Sequence, residues 1–185
     1  MTSYAPFDPA PVKRAAPLDV AVRDACDADV PAIAGLLRQR HSGEISAHAA
    51  RIERVMRSGL ELFCVAEHCD QVVAFGQSGR IEPPPDAPPN CVPAGFYLLG
   101  IIVNEPHRRR GVGAAVTRHR LSKLFALSDT VYYFTNENNL ASIVFHRPFG
   151  FRELARNIWA PGVMFTGGAG VLFGAGAGRR NGAPS

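Results

Sequence analysis

The spacing of apolar residues changes along this chain, and each change marks a different kind of element. Ile33, Leu36 and Leu37 recur at helical spacing, with Pro31 in the first turn and Asp27 or Asp29 placed to cap it. Ile45, Ala49, Ile52, Val55 and Met56 repeat that spacing and stop at Ser58-Gly59. Shorter apolar runs predict strands at Val20 to Arg23, Leu62 to Ala66 and Val72 to Phe75, the last two forming a hairpin about a Cys69-Asp70 turn. Phe96 to Val103 is apolar on both faces, as a central strand covered by helices would be. Helical spacing returns at Ala114, Thr117, Leu121, Leu124 and Phe125. A strand at Val131 to Phe134, a short helix from Asn139 to Arg147, and late strands at Phe151 to Trp159 and Val171 to Phe173 complete the pattern, with Gly167-Gly168 turning between the last two. No internal repeat is present. The segment Pro83 to Pro89 cannot enter a central sheet, because each proline removes a ladder donor; it predicts an exposed excursion, either a rigid lid or a long loop.

Composition bounds the chain further. At 185 residues, 46% hydrophobic and 19% charged, it has the size and balance of one folded domain. Residues 1–17, with four prolines, predict a disordered lead, and residues 174–185 a flexible Gly/Ala-rich tail, leaving 18–173 as the domain. The net charge of +4 is spread along the chain, which favours an anionic ligand over a dedicated nucleic-acid surface. Cys26, Cys64, Cys69 and Cys91 form no C-x-x-C pair and have no matching histidine spacing, so they read as reduced thiols and no metal is expected. No apolar run is long enough to span a bilayer, and the N-terminus lacks a signal-peptide pattern. The expected location is therefore the cytoplasm, with no membrane partner. A homodimer is left open.

One stretch carries recognisable chemistry. Arg108-Arg109-Arg110-Gly111-Val112-Gly113-Ala114 leads from the apolar strand into the first turn of a helix. The first N–H groups of a helix have no intrahelical partner, and with the helix dipole they suit an anion such as a pyrophosphate. A P-loop would need Lys-Ser/Thr where Ala114-Ala115 stand. A dinucleotide fingerprint would put its glycines directly at the strand end; Asp129 has the right distance, but the basic loop does not fit. The arginine triplet read as an ordinary solvated turn is the bland alternative.

The spacing Arg108-x-x-Gly111-x-Gly113, five residues after Val103, resembles the acyl-CoA signature of the GNAT (general N-acetyltransferase) superfamily. Asn139-Leu-Ala-Ser142, followed by His146 and Gly150-Phe151, resembles that family's second landmark, in the right order. The element order matches from about residue 18 to 173. The resemblance implies an α/β fold with a mixed, mostly antiparallel central sheet of six to seven strands flanked by about four helices, and acetyl-CoA as cosubstrate. It assigns Ile101, Ile102 and Val103 to the thioester and pantetheine arm, with Gly100 easing a local bulge. It places Arg108 to Ala114 around the pyrophosphate, and Asn139 on the pantetheine amide, a role compatible with a plain N-cap.

His146 stands where many relatives carry a tyrosine that protonates the departing thiolate, a task open to imidazole. The alternative is a half-buried packing histidine, and Pro148 tightens the helix beside it. No general base is evident. Glu105, His107 and Glu137 lie near strand ends, where a carboxylate or imidazole could reach an amine through water, the alternative being a solvated loop charge; Tyr97 and Tyr133 read as packing residues. His41 and Glu44 fall where the family builds its acceptor pocket, and Cys91 follows the proline run.

The expected activity is transfer of an acetyl group from acetyl-CoA to a primary amine of a small molecule, by direct attack in a ternary complex, since neither signature contains a cysteine nucleophile. Acetylation of a protein N-terminus or lysine, and a non-catalytic acyl-CoA sensor, are the alternatives. A nucleic-acid module lacks the interleaved aromatics it would need.

Overall fold

The computed structural model describes residues 16–39 and 43–177. Seven strands and four helices follow one another as β1 (Ala21–Asp24), α1 (Val30–Arg38), α2 (Ile45–Ser58), β2 (Glu61–His68), β3 (Gln71–Ile81), β4 (Gly95–Val103), α3 (Val112–Leu124), β5 (Thr130–Asn136), α4 (Leu140–His146), β6 (Arg152–Arg156) and β7 (Gly170–Gly176). They form one sheet in the order β1-β2-β3-β4-β5-β7-β6. Every pairing is antiparallel except β4 with β5. This is the expected α/β architecture.

Alternation along the strands decides which helix covers which face. Phe63 and Val65 of β2, with Phe75 and Ile102, pack against Ile33, Leu36, Leu37 and Ile52 of α1 and α2. Cys64 and Ala66, one residue out of phase, face Val112 and Val116 of α3 on the opposite side. Covering both faces explains why the central strands lack polar alternation. The β2–β3 turn places Cys69 and Asp70 at φ 49° and 59°, the left-handed pair that matches the twist of a two-residue hairpin.

Several boundaries differ from the sequence expectation. Strand β3 runs on to Ile81, because Gln77 to Arg80 continue the ladder with β4 despite their polarity. The buried face of α3 contains Val116 and Arg120, whereas Ala114 and Phe125 are half-buried. Strand β6 is only Arg152–Arg156 and is exposed throughout, since it is an edge strand paired to β7 alone. Strand β7 reaches Gly176 against Thr130, so residues 174–176 of the expected tail belong to the sheet. The rest of that tail beyond residue 177, and the lead before residue 16, lie outside the described residues.

The chain just after the proline segment is tied down. Val92 N donates to the Trp159 carbonyl and Trp159 N to the Asn90 carbonyl, both at 2.9 Å. Val92 is buried beside Tyr97, Ile158, Ala160 and Leu172. Residues 90–92, at the end of the excursion, thus pack beside the β4–β5–β7 sheet and join the β6–β7 connection.

Candidate active site

Strands β4 and β5 stay together only briefly. Their parallel register covers Phe96↔Val131 and Tyr97↔Tyr132 and goes no further toward the C-terminal ends. On the other side β4 remains paired to β3 up to Val103, with a register shift at Gln77/Ser78: Gln77 faces Gly100 and Ser78 faces Leu98. Leu99 is the extra residue, so the bulge expected near Gly100 is present one position earlier. Ile101, Ile102 and Val103 continue from that bulge along the edge that has parted from β5.

From the end of β4 the chain turns through 104–111 into α3. Arg109 adopts φ 59° and Gly111 φ 84°. Left-handed backbone at Gly111 lets the chain swing its next N–H groups to the helix end. Those of Val112, Gly113 and Ala114 have no partner within the helix, whose first bond to Gly111 comes from Ala115 N at 3.0 Å. A Cβ built on Gly111 would meet nothing within 4 Å. The seat in front of this turn is open, and the unmet donors, dipole and arginines give it an anion-binding character.

The three arginines are held differently. Arg108 Nε donates to the Val103 carbonyl at 3.0 Å and braces the strand end. Arg110 Nε donates to the Ala16 carbonyl at 3.2 Å, while Leu18 N donates to the Arg110 carbonyl at 2.9 Å, pinning the segment before β1 against the loop. Gly113 lies where α3 meets α4, since a Cβ there would stand 3.4 Å from the Phe145 ring. The two glycines therefore differ: Gly111 sets backbone direction, whereas Gly113 sits at the contact with α4 where a Cβ would still fit.

Asn139 caps α4. Its Oδ1 accepts from Ser142 N at 3.3 Å, and its Nδ2 donates to Thr135 Oγ1 at 2.9 Å. His146, at the other end of α4, is only 6% exposed. Its ring stacks on Tyr133 and meets Phe145 and Phe151 edge-on. Nδ1 lies 2.9 Å from the Ser142 carbonyl, which can only accept, so Nδ1 carries the proton and donates it there. Burial pulls the imidazolium pKa down to about 4. At neutral pH the ring is uncharged and its one N–H is engaged. The proton-donor role expected from the sequence meets a physical objection here, and the aromatic surroundings favour packing.

The candidate bases are similarly occupied or peripheral. Glu137 Oε1 accepts from Ala169 N at 2.8 Å and Oε2 pairs with Arg156 at 3.5 Å, so this carboxylate fastens the β6–β7 connection. Beside it Asn136, 1% exposed, donates to the carbonyls of Thr166 and Gly168 and accepts from Asn138 N. Glu105 and His107 belong to the short turn after β4. Glu44 is exposed at the start of α2, and His41 lies outside the described residues. Tyr97 and Tyr133 are buried, as expected of packing residues, and burial raises both phenol pKa values. Tyr97 also donates to the Pro93 carbonyl at 2.6 Å. All four cysteines are free.

Arg120 escaped the sequence reading. A lone arginine among basic helix residues looks like a solvated face, yet it is 4% exposed and reaches under the sheet to the β4 bulge. The available signal was its position, three residues beyond Thr117 and next to Leu121 on the apolar stripe.

Comparison with known proteins agrees with this arrangement. Residues 32–151 match the family model described as the acetyltransferase (GNAT) family. No curated protein matches the sequence. Among solved structures, a ribosomal-protein-alanine N-acetyltransferase from Brucella melitensis superposes with a TM-score of 0.65 at 18% identity, over 85% of this chain and 99% of that one. A phosphinothricin acetyltransferase from Sinorhizobium meliloti, in complex with acetyl-CoA, gives 0.64 at 16%, over 90% and 93%. The ribosomal-protein-S18-alanine N-acetyltransferase from Escherichia coli gives 0.60 at 17%, over 88% and 98%. At these identities the likeness concerns the fold. The family match spans well over half of the chain, and the chain belongs to the GNAT acetyltransferase family, as an acyltransferase.

Proposed function

We propose that this protein transfers an acetyl group from acetyl-CoA to a primary amine of a small molecule, by direct attack in a ternary complex. One observation carries the donor half: the glycine-opened N-terminus of α3 stands at the end of β4, on the strand that has parted from β5. The residues fit the cosubstrate. Val112 to Ala114 and the arginines Arg108, Arg109 and Arg110 suit its pyrophosphate, and the β4 edge at Ile101 to Val103 offers backbone groups to the pantetheine arm and thioester. Asn139, engaged as a helix cap, keeps α4 in place beside that arm. Acetyl-CoA supplies the activated carbonyl; the amine lone pair attacks it, the C–S bond breaks, and the proton given up by the nitrogen passes, directly or through water, to the departing CoA thiolate.

Residues 90–92 and the β6–β7 connection brace one another beside the β4–β5–β7 sheet; were the amine to enter along that surface, a compact acceptor would fit it better than an extended peptide. With Glu137 committed to Ala169 and Arg156, the amine reaches the site already neutral or loses its proton through water. We propose the cytoplasm as its location on composition alone, the four cysteines having no paired spacing. Among the described residues no helix is long and apolar enough to cross a membrane. Two of the structural relatives act on ribosomal-protein alanine, so the peptide reading has its own support. The deciding experiment is thiol release from acetyl-CoA with a panel of small amines beside peptides bearing N-terminal alanine. Turnover of small amines alone supports the proposal; turnover of peptides alone replaces the acceptor class; binding of acetyl-CoA without release against either panel points to a sensor.

A further inference from the structure

The guanidinium of Arg120 is the one buried cation on the inner face of α3. Its Nη1 donates to the Gln77 carbonyl at 3.0 Å and to the Gly100 carbonyl at 2.9 Å, and its Nη2 donates to Thr117 Oγ1 at 3.2 Å. Gln77 and Gly100 are the two residues that face each other at the edge of the β3–β4 register shift. One side chain on the helix thus holds both strands where Leu99 is inserted. The backbone makes room for it: a Cβ on Gly76 would come within 2.9 Å of Arg120 Cδ and Nε, and within 2.7 Å of Val116.

Stability does not account for this arrangement. Among the described residues no carboxylate pairs with Arg120, and its Nε finds no hydrogen-bond partner. Burial pulls its pKa down to about 10, so it remains charged at neutral pH and bears the desolvation cost. An apolar side chain of similar volume would spare that desolvation cost while leaving two carbonyls without a donor, so the two effects oppose each other. What an apolar side chain lacks is a fork of donors that fixes two carbonyls on separate strands at once.

We infer that Arg120 is a positioning residue, whose contacts to the Gln77 and Gly100 carbonyls set the bulge in β4 and thereby the aim of Ile101 to Val103 at the acyl donor. The inference rests on the proposed use of the β4 edge as the seat of the thioester and pantetheine arm. A strand segment misdirected there by about 1 Å is enough to lower catalysis by up to 100-fold. The pyrophosphate seat is set separately, by Gly111 and the start of α3.

The test compares wild-type, Arg120→Met and Arg120→Lys proteins. It uses acetyl-CoA and 3′-phospho-ADP, which carries the pyrophosphate without the pantetheine arm. Arg120→Met removes a desolvated charge but leaves the Gln77 and Gly100 carbonyls without its donors; it is expected to shift Tm by only a few degrees and to bind 3′-phospho-ADP as wild type does, yet to lose about 10- to 100-fold in kcat/KM. Amide exchange in the β4 peptide should quicken while that of α2 is unchanged. Arg120→Lys, with one charged donor group, should recover part of the rate; it also provides the comparison if the methionine variant does not fold. Wild-type rate in both variants overturns the inference, as does an equal loss for both ligands alongside a lowered Tm. Wild-type protein that binds 3′-phospho-ADP but gains nothing from the acetyl-pantetheine arm removes the donor-seat reading instead, and this inference with it.

Discussion

The ring of His146 lies 4.1 Å, centroid to centroid, from the ring of Tyr133, and the two planes are 25° from parallel. Tyr133 is in turn stacked on Phe173, so three rings from α4, β5 and β7 form one column through this half of the molecule. The column makes a side chain at the helix terminus part of the core. His146→Ala is therefore expected to cost about 2–4 kcal/mol of stability, in the range for emptying a large buried site. The rate per folded molecule should be retained if the ring only packs. A loss of about 100-fold in kcat, with acetyl-CoA affinity and Tm unchanged, is what an acid at this position would give. Thermal melts with kcat and calorimetric affinity on the same samples separate the two.

The same ring makes stability depend on pH. Its pKa is lowered from 6.5 to about 4 on folding, so between those values the unfolded chain binds the extra proton. Stability is full above pH 6.5 and falls as the solution is acidified toward pH 4, by about 3 kcal/mol for a shift of this size. Below pH 4 this group adds no further loss. Denaturant titrations from pH 7 to pH 4 should show the slope in wild type and a flatter one in His146→Ala.

Gly111 and Gly113 should respond differently to a single methyl. Gly111→Ala meets open space but must hold φ 84°, at a cost of roughly 1–2 kcal/mol. Gly113→Ala brings a Cβ into ordinary contact with Phe145 and is expected to be nearly neutral for stability. Valine at either position should weaken CoA binding more than loss of any one of Arg108, Arg109 and Arg110, because neighbouring charges compensate for an arginine and nothing restores the backbone seat. Calorimetry across the series checks the order. Affinity that is moderately weaker in raised salt would complete it.

Asn136 tests the acceptor side. Replacing it with alanine leaves the carbonyls of Thr166 and Gly168 and the N–H of Asn138 without its bonds, which should cost about 1–3 kcal/mol. If the β6–β7 connection shapes the amine site, the KM for the amine rises while acetyl-CoA affinity stays constant. Steady-state kinetics with each substrate varied in turn gives the answer.

Much of this was legible in the chain because local chemistry and tertiary role coincide. Gly111 must be glycine for its φ, and the run Phe96 to Val103 is apolar on both sides because α1 and α3 cover it on opposite faces. Legibility failed where a distant partner decides the outcome. Arg120 is charged and helical, and only the carbonyls of Gln77 and Gly100 explain its burial. Glu137 has the chemistry of a base, but Ala169 and Arg156, many residues further on, occupy it. His146 fits the spacing of an acid, and its rings for company come from β5, α4 and the residue after the next turn. The end of β3 was missed because Gln77, Ser78 and Arg80 are polar, and their strand geometry depends on β4.

The bond from Asn90 Nδ2 to the Asn157 carbonyl joins points 67 residues apart. With the Val92–Trp159 pair it ties the end of the excursion, residues 90–92, to a loop that the chain makes only after β5, α4 and β6. Closure entropy grows only slowly with loop length, and strands β4, β5 and β7 already bring the two ends of this link together. Breaking it should therefore free residues 90–92 and 157–159 from one another while the sheet and α3 keep their own pairings.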